Sequence, residues 1–339
     1  MYIAGMGIIF NRGRGLDILE KALEDGWVNS GSVYGVPEEV LKDKIVLKDA
    51  RRADDFSKMA ILAAHDALAD SGLGEKIKPK LGIILATAFG PHATTFRFLD
   101  DILNFGDAQV SPTLFSHSVH NAAVSYIAST LQSRGPTLTI TQFADSFQQA
   151  LILADSWLEE KRCEYILVGS VDQVGKVMEY IVSQKLKFAP DGKIRSFNFS
   201  KEPECIPGEG SAFFLVTNNQ KDKKYCAISG VTSLKEKPDL TILDSDGFAG
   251  DESLYREVLG KGTLVSSCAP IFGSMLTLSS FSAVAAALML KKQKFYASPV
   301  RENPHNLNLC VENKAGKINS ISCLRYDCNA KSSIINLRN

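Results

Sequence analysis

The chain has 339 residues, 45% of them hydrophobic, with 38 Lys plus Arg against 38 Asp plus Glu. This length and apolar content support a large core, either two ordinary domains or one α/β unit. The balanced charge gives no electrostatic case for nucleic acid or an anionic membrane surface.

The predicted elements alternate between strand and helix, the pattern of a layered α/β protein. Tyr2 to Phe10 reads as a strand and Leu16 to Asp25 as a helix. Asp54 to Ser71 carries Met59, Leu62, Ala63, Ala67 and Leu68 at helical spacing, and Leu81 to Ala88 is a buried strand. Ala122 to Gln132 is a helix, Thr137 to Ile140 a strand, Asp145 to Lys161 an amphipathic helix and Tyr165 to Val168 a strand. Ser196 to Gly210, with Pro203 and Pro207, is a long loop feeding the strand Ser211 to Val216. Polar Asn218 to Lys224 marks the best internal boundary, giving halves 1–219 and 220–339. Strands follow near Ala227, Leu240 and Leu264, then a helix from about Gly273 to Lys292 and strands near Ile321 and Ile334. The apolar run Phe281 to Leu290 is too short for a membrane span and reads as a buried helix. Periodicity alone leaves an ordinary doubly wound sheet equally open.

The cysteines at 163, 205, 226, 268, 310, 323 and 328 are odd in number and scattered through apolar segments, as reduced thiols are. The N-terminal Met-Tyr-Ile-Ala-Gly-Met-Gly lacks the basic start of a signal peptide. Both features lead to the expectation of a cytoplasmic protein.

The strand-to-helix junction at Phe143-Ala144-Asp145 is the most informative point. A side chain there stands near a helix N-terminus, where free N–H groups stabilise a thiolate or oxyanion. The surrounding segment Thr139 to Leu151 resembles the nucleophile turn of the β-ketoacyl synthases, condensing enzymes of the thiolase fold. Gln149-Ala150-Leu151 falls on the family's Gln-Ala-Leu and Gly169-Ser170 on its Gly-Gly, without a gap. Three further motifs agree in order. Arg51 to Lys58 is similar to the Arg-x-x-Asp-x-x-Ser helix start. Ser111-Pro112-Thr113-Leu114-Phe115, Asn121-Ala122-Ala123 and Arg134-Gly135-Pro136 match the segment before the nucleophile. Gly208-Glu209-Gly210-Ser211-Ala212 matches the Gly-Glu-Gly-Ala-Gly strand entry. The resemblance implies a thiolase-like α/β/α/β/α layered fold built from two pseudo-repeated halves.

The same register exposes departures. Ala144 stands at the acyl-accepting Cys, and a methyl group forms no thioester. Asp246 stands at the first catalytic His, Ala269 at the supporting Lys and Ser274 at the second His. The family's glycine-rich terminal turn is eroded to about Tyr326-Asp327-Cys328-Asn329-Ala330-Lys331. Decarboxylative condensation needs a thiolate and imidazole N–H donors for the enolate, and an acceptor-only carboxylate at 246 would repel it. Ordinary condensation is therefore not expected here.

In two-component synthases of this family, a partner without the nucleophile completes the dimer and closes the acyl tunnel. The resemblance thus implies a chain-length factor that pairs with a catalytic β-ketoacyl synthase subunit and works on acyl carrier protein. The compact length looks most like subunits of aryl-polyene or flexirubin-type pathways. Leu114 and Phe115 occupy the register that reaches towards the partner's tunnel. Phe143 and Phe147 flank the dead position and serve either as core or as tunnel plugs. Two rivals remain: an acyltransferase or decarboxylase using Ser146 or Ser274, and a homodimeric acyl-binding scaffold. No cofactor and no metal are expected. His117 and His120 read as interface or capping residues, Asp244, Asp246 and Asp251 as turn and helix caps, Cys323 and Cys328 as buried thiols, and Gly5-Met6-Gly7 lacks the third glycine of a dinucleotide fingerprint.

Overall fold

A computed structural model describes residues 1–199, 204–231, 237–247, 255, 259, 262–326 and 332–339. Strand β1 (Tyr2–Phe10) is buried from Ile3 onward, as a strand covered on both faces must be. A bulge between Ile3 and Gly5 shifts its alternation by one residue. Before the bulge Ile3 faces the inner core and Ala4 the outer one. After it Met6, Ile8 and Phe10 face inward and Ile9 outward.

Among the described residues one mixed sheet of twelve strands runs through the molecule. It is a single topology used twice. The first half contains β1, β2 (Gly82–Thr87), β3 (Thr137–Thr141), β4 (Tyr165–Asp172) and β5 (Gly210–Thr217), ordered β3-β2-β4-β5-β1. The second contains β6 (Ala227–Gly230), β7 (Leu240–Leu243), β8 (Leu264–Ser266), β9 (Ser320–Tyr326) and β10 (Ser332–Arg338), ordered β8-β7-β9-β10-β6. In both, the third, second and fourth strands run parallel, while the fifth is antiparallel to the fourth and the first. The halves meet where β1 and β6 pair at Tyr2 and Ala227, extended by Ile3 N–H to Cys226 O and Ile228 N–H to Met1 O, both 2.9 Å.

Helices fill three layers. α2 (Asp55–Ser71) packs outside β1, β5 and β4, with α5 (Ala122–Leu131) beside it. Asp54 caps α2 by accepting from Ser57 N–H at 3.0 Å, and Gly72 closes it in a left-handed turn. α6 (Ser146–Glu159) packs on β2, β3 and β4 from inside, and α9 (Leu278–Lys292) on β9, β10 and β5. α9 is buried all round from Leu278 to Leu290, as a helix in the middle layer must be. On the far side Tyr255 and Leu259 pack with Phe197, Leu243, Leu324 and Tyr326. The layered, pseudo-repeated α/β/α/β/α class expected from sequence is the one found.

Two departures have physical causes. The helix expected from about Gly273 starts at Leu278, because Gly273 lies at φ +90° and ends a short helix, α8 (Ala269–Phe272). The chain also forms α1 (Leu16–Asp25), α3 (His92–Phe105), α4 (Pro112–His117) and α7 (Lys176–Lys185), of which α3, α4 and α7 are absent from the sequence reading. Gly5 and Gly7 face α2 at contact distance. A Cβ on Gly7 would lie 2.1 Å from Ala63 O, which explains this glycine pair by helix packing without any nucleotide. Gly7→Ala is expected to push α2 off β1 and to destabilise by about 1–3 kcal/mol, the usual cost of overpacking. Urea unfolding of the variant checks this, and an unchanged midpoint would show that α2 yields freely.

Candidate functional site

β3 ends at Thr141, Gln142 N–H bonds back to Thr87 O at 3.3 Å, and α6 begins at Ser146. The intervening Phe143-Ala144-Asp145 forms the sharp strand-to-helix turn expected. Ala144 is 6% exposed and lines a mostly apolar cavity of about 460 Å³, whereas Phe143 is 51% exposed at its rim. Phe143 meets Phe89 edge-on with ring centroids 5.4 Å apart.

Four other segments close the cavity. β4 ends at buried Asp172, which accepts from Thr87 Oγ1 at 3.0 Å, Ala88 N–H at 2.9 Å and Thr277 N–H at 3.2 Å. Burial pushes its carboxyl up from the ordinary value despite these bonds. α7 supplies Met178, Ile181 and Val182. Pro207-Gly208 crosses the end of α8 so tightly that a Cβ on Gly208 would lie 2.4 Å from Phe272 O. Glu209 fixes this crossing by accepting from Val36 N–H at 2.9 Å and Val174 N–H at 3.0 Å.

The last segment brings the degenerate positions together. Ser274 lines the cavity; its Oγ donates to the carbonyl of Asp246 and accepts from Ile206 N–H at 3.0 Å. Asp246 is buried with Oδ2 3.5 Å from Nη2 of Arg325, itself fully buried on β9. Burial works against the Arg325 charge, yet Asp246 and Asp244 hold the guanidinium more basic than usual. Asp244 accepts from Ser279 Oγ at 2.6 Å and Ser282 Oγ at 2.5 Å at the start of α9. Ala144, Ser274 and Arg325 thus share one cavity, with Asp246 one bond behind. Ala269 is buried in the first turn of α8 and does not line it.

No Cys and no His lines the cavity among the described residues. Each of the six described cysteines is buried, and burial pushes each thiol up, Cys205 and Cys226 to about 12. None has the electropositive surroundings of a reactive thiolate. Ser146 Oγ is buried without a hydrogen-bond partner, and the Ser274 hydroxyl donates to a backbone carbonyl, so neither serine has a base in hand.

The remaining site expectations separate. Leu114 and Phe115 sit on α4 away from the chain's own cavity, with Phe115 59% exposed and stacked obliquely on Phe98 at 5.6 Å. Phe147 is a core residue, stacked on Phe214 at 5.7 Å between the layers, and plugs no cavity. His117 is buried within the single chain, its Nε2 2.6 Å from Tyr126 Oη. Asp251, Cys328 and the eroded turn 327–331 lie outside the described residues. Arg325 was missed, although a lone Arg inside the apolar strand Ile321-Ser322-Cys323-Leu324-Arg325-Tyr326 is a legible signal of a buried charge.

The chain is similar to known proteins in fold and in part of its sequence. Residues 36–183 match the family model of the β-ketoacyl synthase N-terminal domain. The chain is similar to β-ketoacyl synthase 1 of oxytetracycline polyketide from Streptomyces rimosus, at 24% identity over 62% of this chain. That match spans 53%, about half, of the relative's length. Among solved structures, the ishigamide ketosynthase/chain length factor superposes with a TM-score of 0.84 at 15% identity, covering 100% of this chain and 98% of that one. A type II polyketide synthase ketosynthase in complex with its acyl-carrier protein gives 0.78 at 15% identity, covering 99% and 98%. The fold is the thiolase-like fold of ketosynthases. The likeness to that family model covers less than half of the chain. Among the described residues no helix is long and apolar enough to cross a membrane.

Asp244 gives this site a pH signature. Burial pushes its carboxyl up to about 6, from an ordinary 3.8. The folded state then holds this proton more tightly than the unfolded chain. Its stabilising share is complete below about pH 4 and is lost as pH rises through about 6. Asp244→Asn is expected to flatten that part of the dependence of unfolding free energy on pH. An unaltered slope between those limits would show that Asp244 does not titrate there.

Proposed function

We propose that this chain is a non-catalytic ketosynthase-like subunit, a chain-length factor, that pairs with an active ketosynthase elongating chains on acyl carrier protein. The observation that carries this reading is the cavity at the strand-to-helix turn, walled by Ala144, Ser274 and Arg325 with no thiol and no imidazole among the described residues. Condensation has nothing there to hold an acyl group or an enolate.

The surface supports pairing. β3 is the outermost strand of its half and borders only β2, and Leu138 on it is 44% exposed. An open sheet edge of this kind is a ready template for a second strand. Phe96, Leu99, Leu103 and Phe105 on α3 and Phe115 on α4 are exposed as well. Apolar surface of this extent marks an interaction site, and α4 carries Leu114 and Phe115 at the position expected to meet a partner's tunnel.

Two experiments test the reading. Intact-mass measurement after incubation with acyl-carrier substrates is expected to show no adduct. Ala144→Cys should give at most slow self-acylation without elongation, because Asp246 and Ser274 supply no enolate donor. A stable adduct on the unaltered chain would promote the serine-based alternative, and elongation by the single variant would overturn the His-position assignments.

In a heterodimer co-expressed with a Cys-His-His ketosynthase, Phe115→Ala or Leu114→Ala is expected to lengthen the product. Each added buried methylene is worth about 0.8 kcal/mol, enough to shift a product distribution several-fold. Size exclusion with mass detection checks dimer integrity in the same sample. Unchanged product lengths from an intact dimer at both positions would remove the tunnel-closing role.

A further inference from the structure

The cavity beside Ala144 contains a charged donor that nothing in the protein fully satisfies. Arg325 is 1% exposed and lines the cavity, and its Nε and Nη1 have no hydrogen-bond partner. Nη2 reaches Asp246 at 3.5 Å. Buried N–H groups that have lost water and gained no acceptor are costly, and the deficit is largest for a charged group. Two other residues with carboxyl or amino side chains line the cavity. Asp172 already accepts from Thr87, Ala88 and Thr277, and Lys185 lies exposed at the rim. The neighbouring wall is apolar, with Met178, Val182, Met275 and Leu276 prominent.

We propose that this cavity binds a single-chain carboxylate of the medium-chain fatty acid type without covalent attachment, its carboxylate on Arg325 and its hydrocarbon tail against Met178, Val182 and Leu276. A planar carboxylate matches the paired N–H donors that a guanidinium presents. A small inorganic anion would satisfy Arg325 but leave a cavity of about 460 Å³ with apolar walls unfilled. Each methylene transferred from water to such walls tightens binding roughly fourfold. The inference rests on the reading of a site without a nucleophile, since a thiol at 144 would exchange with an acyl-carrier thioester, release the carrier thiol and fill the cavity with a covalently held chain.

Titration calorimetry of the intact chain with decanoate, decanol and inorganic phosphate tests it. Decanoate is expected to bind at least about tenfold more tightly than decanol, and phosphate to give no saturable binding. Arg325→Gln should abolish the preference for decanoate over decanol. Because that change removes the buried contact between Arg325 and Asp246 and endangers folding, Met178→Trp provides a second variant that fills the cavity and keeps the ion pair. It should weaken decanoate about tenfold or more. Equal affinities for decanoate and decanol, no saturable decanoate binding, phosphate binding as tightly as decanoate, or a Met178→Trp variant that binds unaltered would each overturn the proposal. Intact-mass measurement with a decanoyl carrier substrate separates the two readings. An adduct removes the site without a nucleophile, whereas an unmodified chain that ignores decanoate removes only the carboxylate site.

Discussion

Two five-stranded units share one interior, and the need to fill that interior constrains everything else. Each unit is covered on both faces, so the middle layer must be apolar on every side. α9 meets the demand with a run of Ala, Ser, Leu and Phe buried from end to end. α6 meets it with Phe147, Ala150, Leu151 and Ala154. Because α6 must begin where β3 ends, its first turn is fixed at the junction of the units, facing the loop that precedes α9. The turn at Ala144 therefore stands opposite Ser274 and Arg325 as a consequence of packing, whatever side chains those positions carry.

The scaffold and the chemistry have separable determinants. The close crossing of Gly208 over Phe272 and the Glu209 clamp on Val36 and Val174 shape the cavity without reacting. The polar side chains beside the cavity form a connected set. Ser274 holds Asp246 by its carbonyl, Asp246 faces Arg325, and Asp244 gathers two serines of α9. A buried charge survives only when paired and hydrogen-bonded. Asp246 and Arg325 therefore belong together, each buried charge offset by the other.

Apolar exposure is concentrated on the side of the molecule where β3, α3 and α4 lie. The core clusters inside the chain account for β1, α2, α6 and α9, but leave Leu138, Leu103, Phe105 and Phe115 without cover. Under the proposed pairing with a ketosynthase, this is the surface that a partner would cover.

Much of the fold was legible because it is written in local pattern. Tyr2–Phe10 and Leu16–Asp25 were found to the residue, since continuous apolar runs and 3.6-residue periodicity depend on near neighbours only. The turn at Phe143-Ala144-Asp145 was legible for the same reason, and so was the absence of a nucleophile in it. α3 and α7 were not, because α3 leaves Phe96, Leu99, Leu103 and Phe105 exposed and α7 turns Met178 and Val182 to a cavity instead of the core, so neither carries a full core-facing stripe. The start of α9 was misplaced because Gly273 breaks the helix through a left-handed backbone set by its crossing with Gly208. Sequence also could not rank Phe143 against Phe147, which share a helical spacing; the tertiary structure puts one at the cavity rim and the other on Phe214. The sequence by itself determined which groups are available, namely no thiol at 144 and no imidazole at 246 or 274. Only the tertiary structure decided that Arg325, some 180 residues from Ala144 along the chain, lines the same cavity. Strand order in a pseudo-repeated sheet is a long-range property, and burial gives a charge its meaning only after the layers have closed over it.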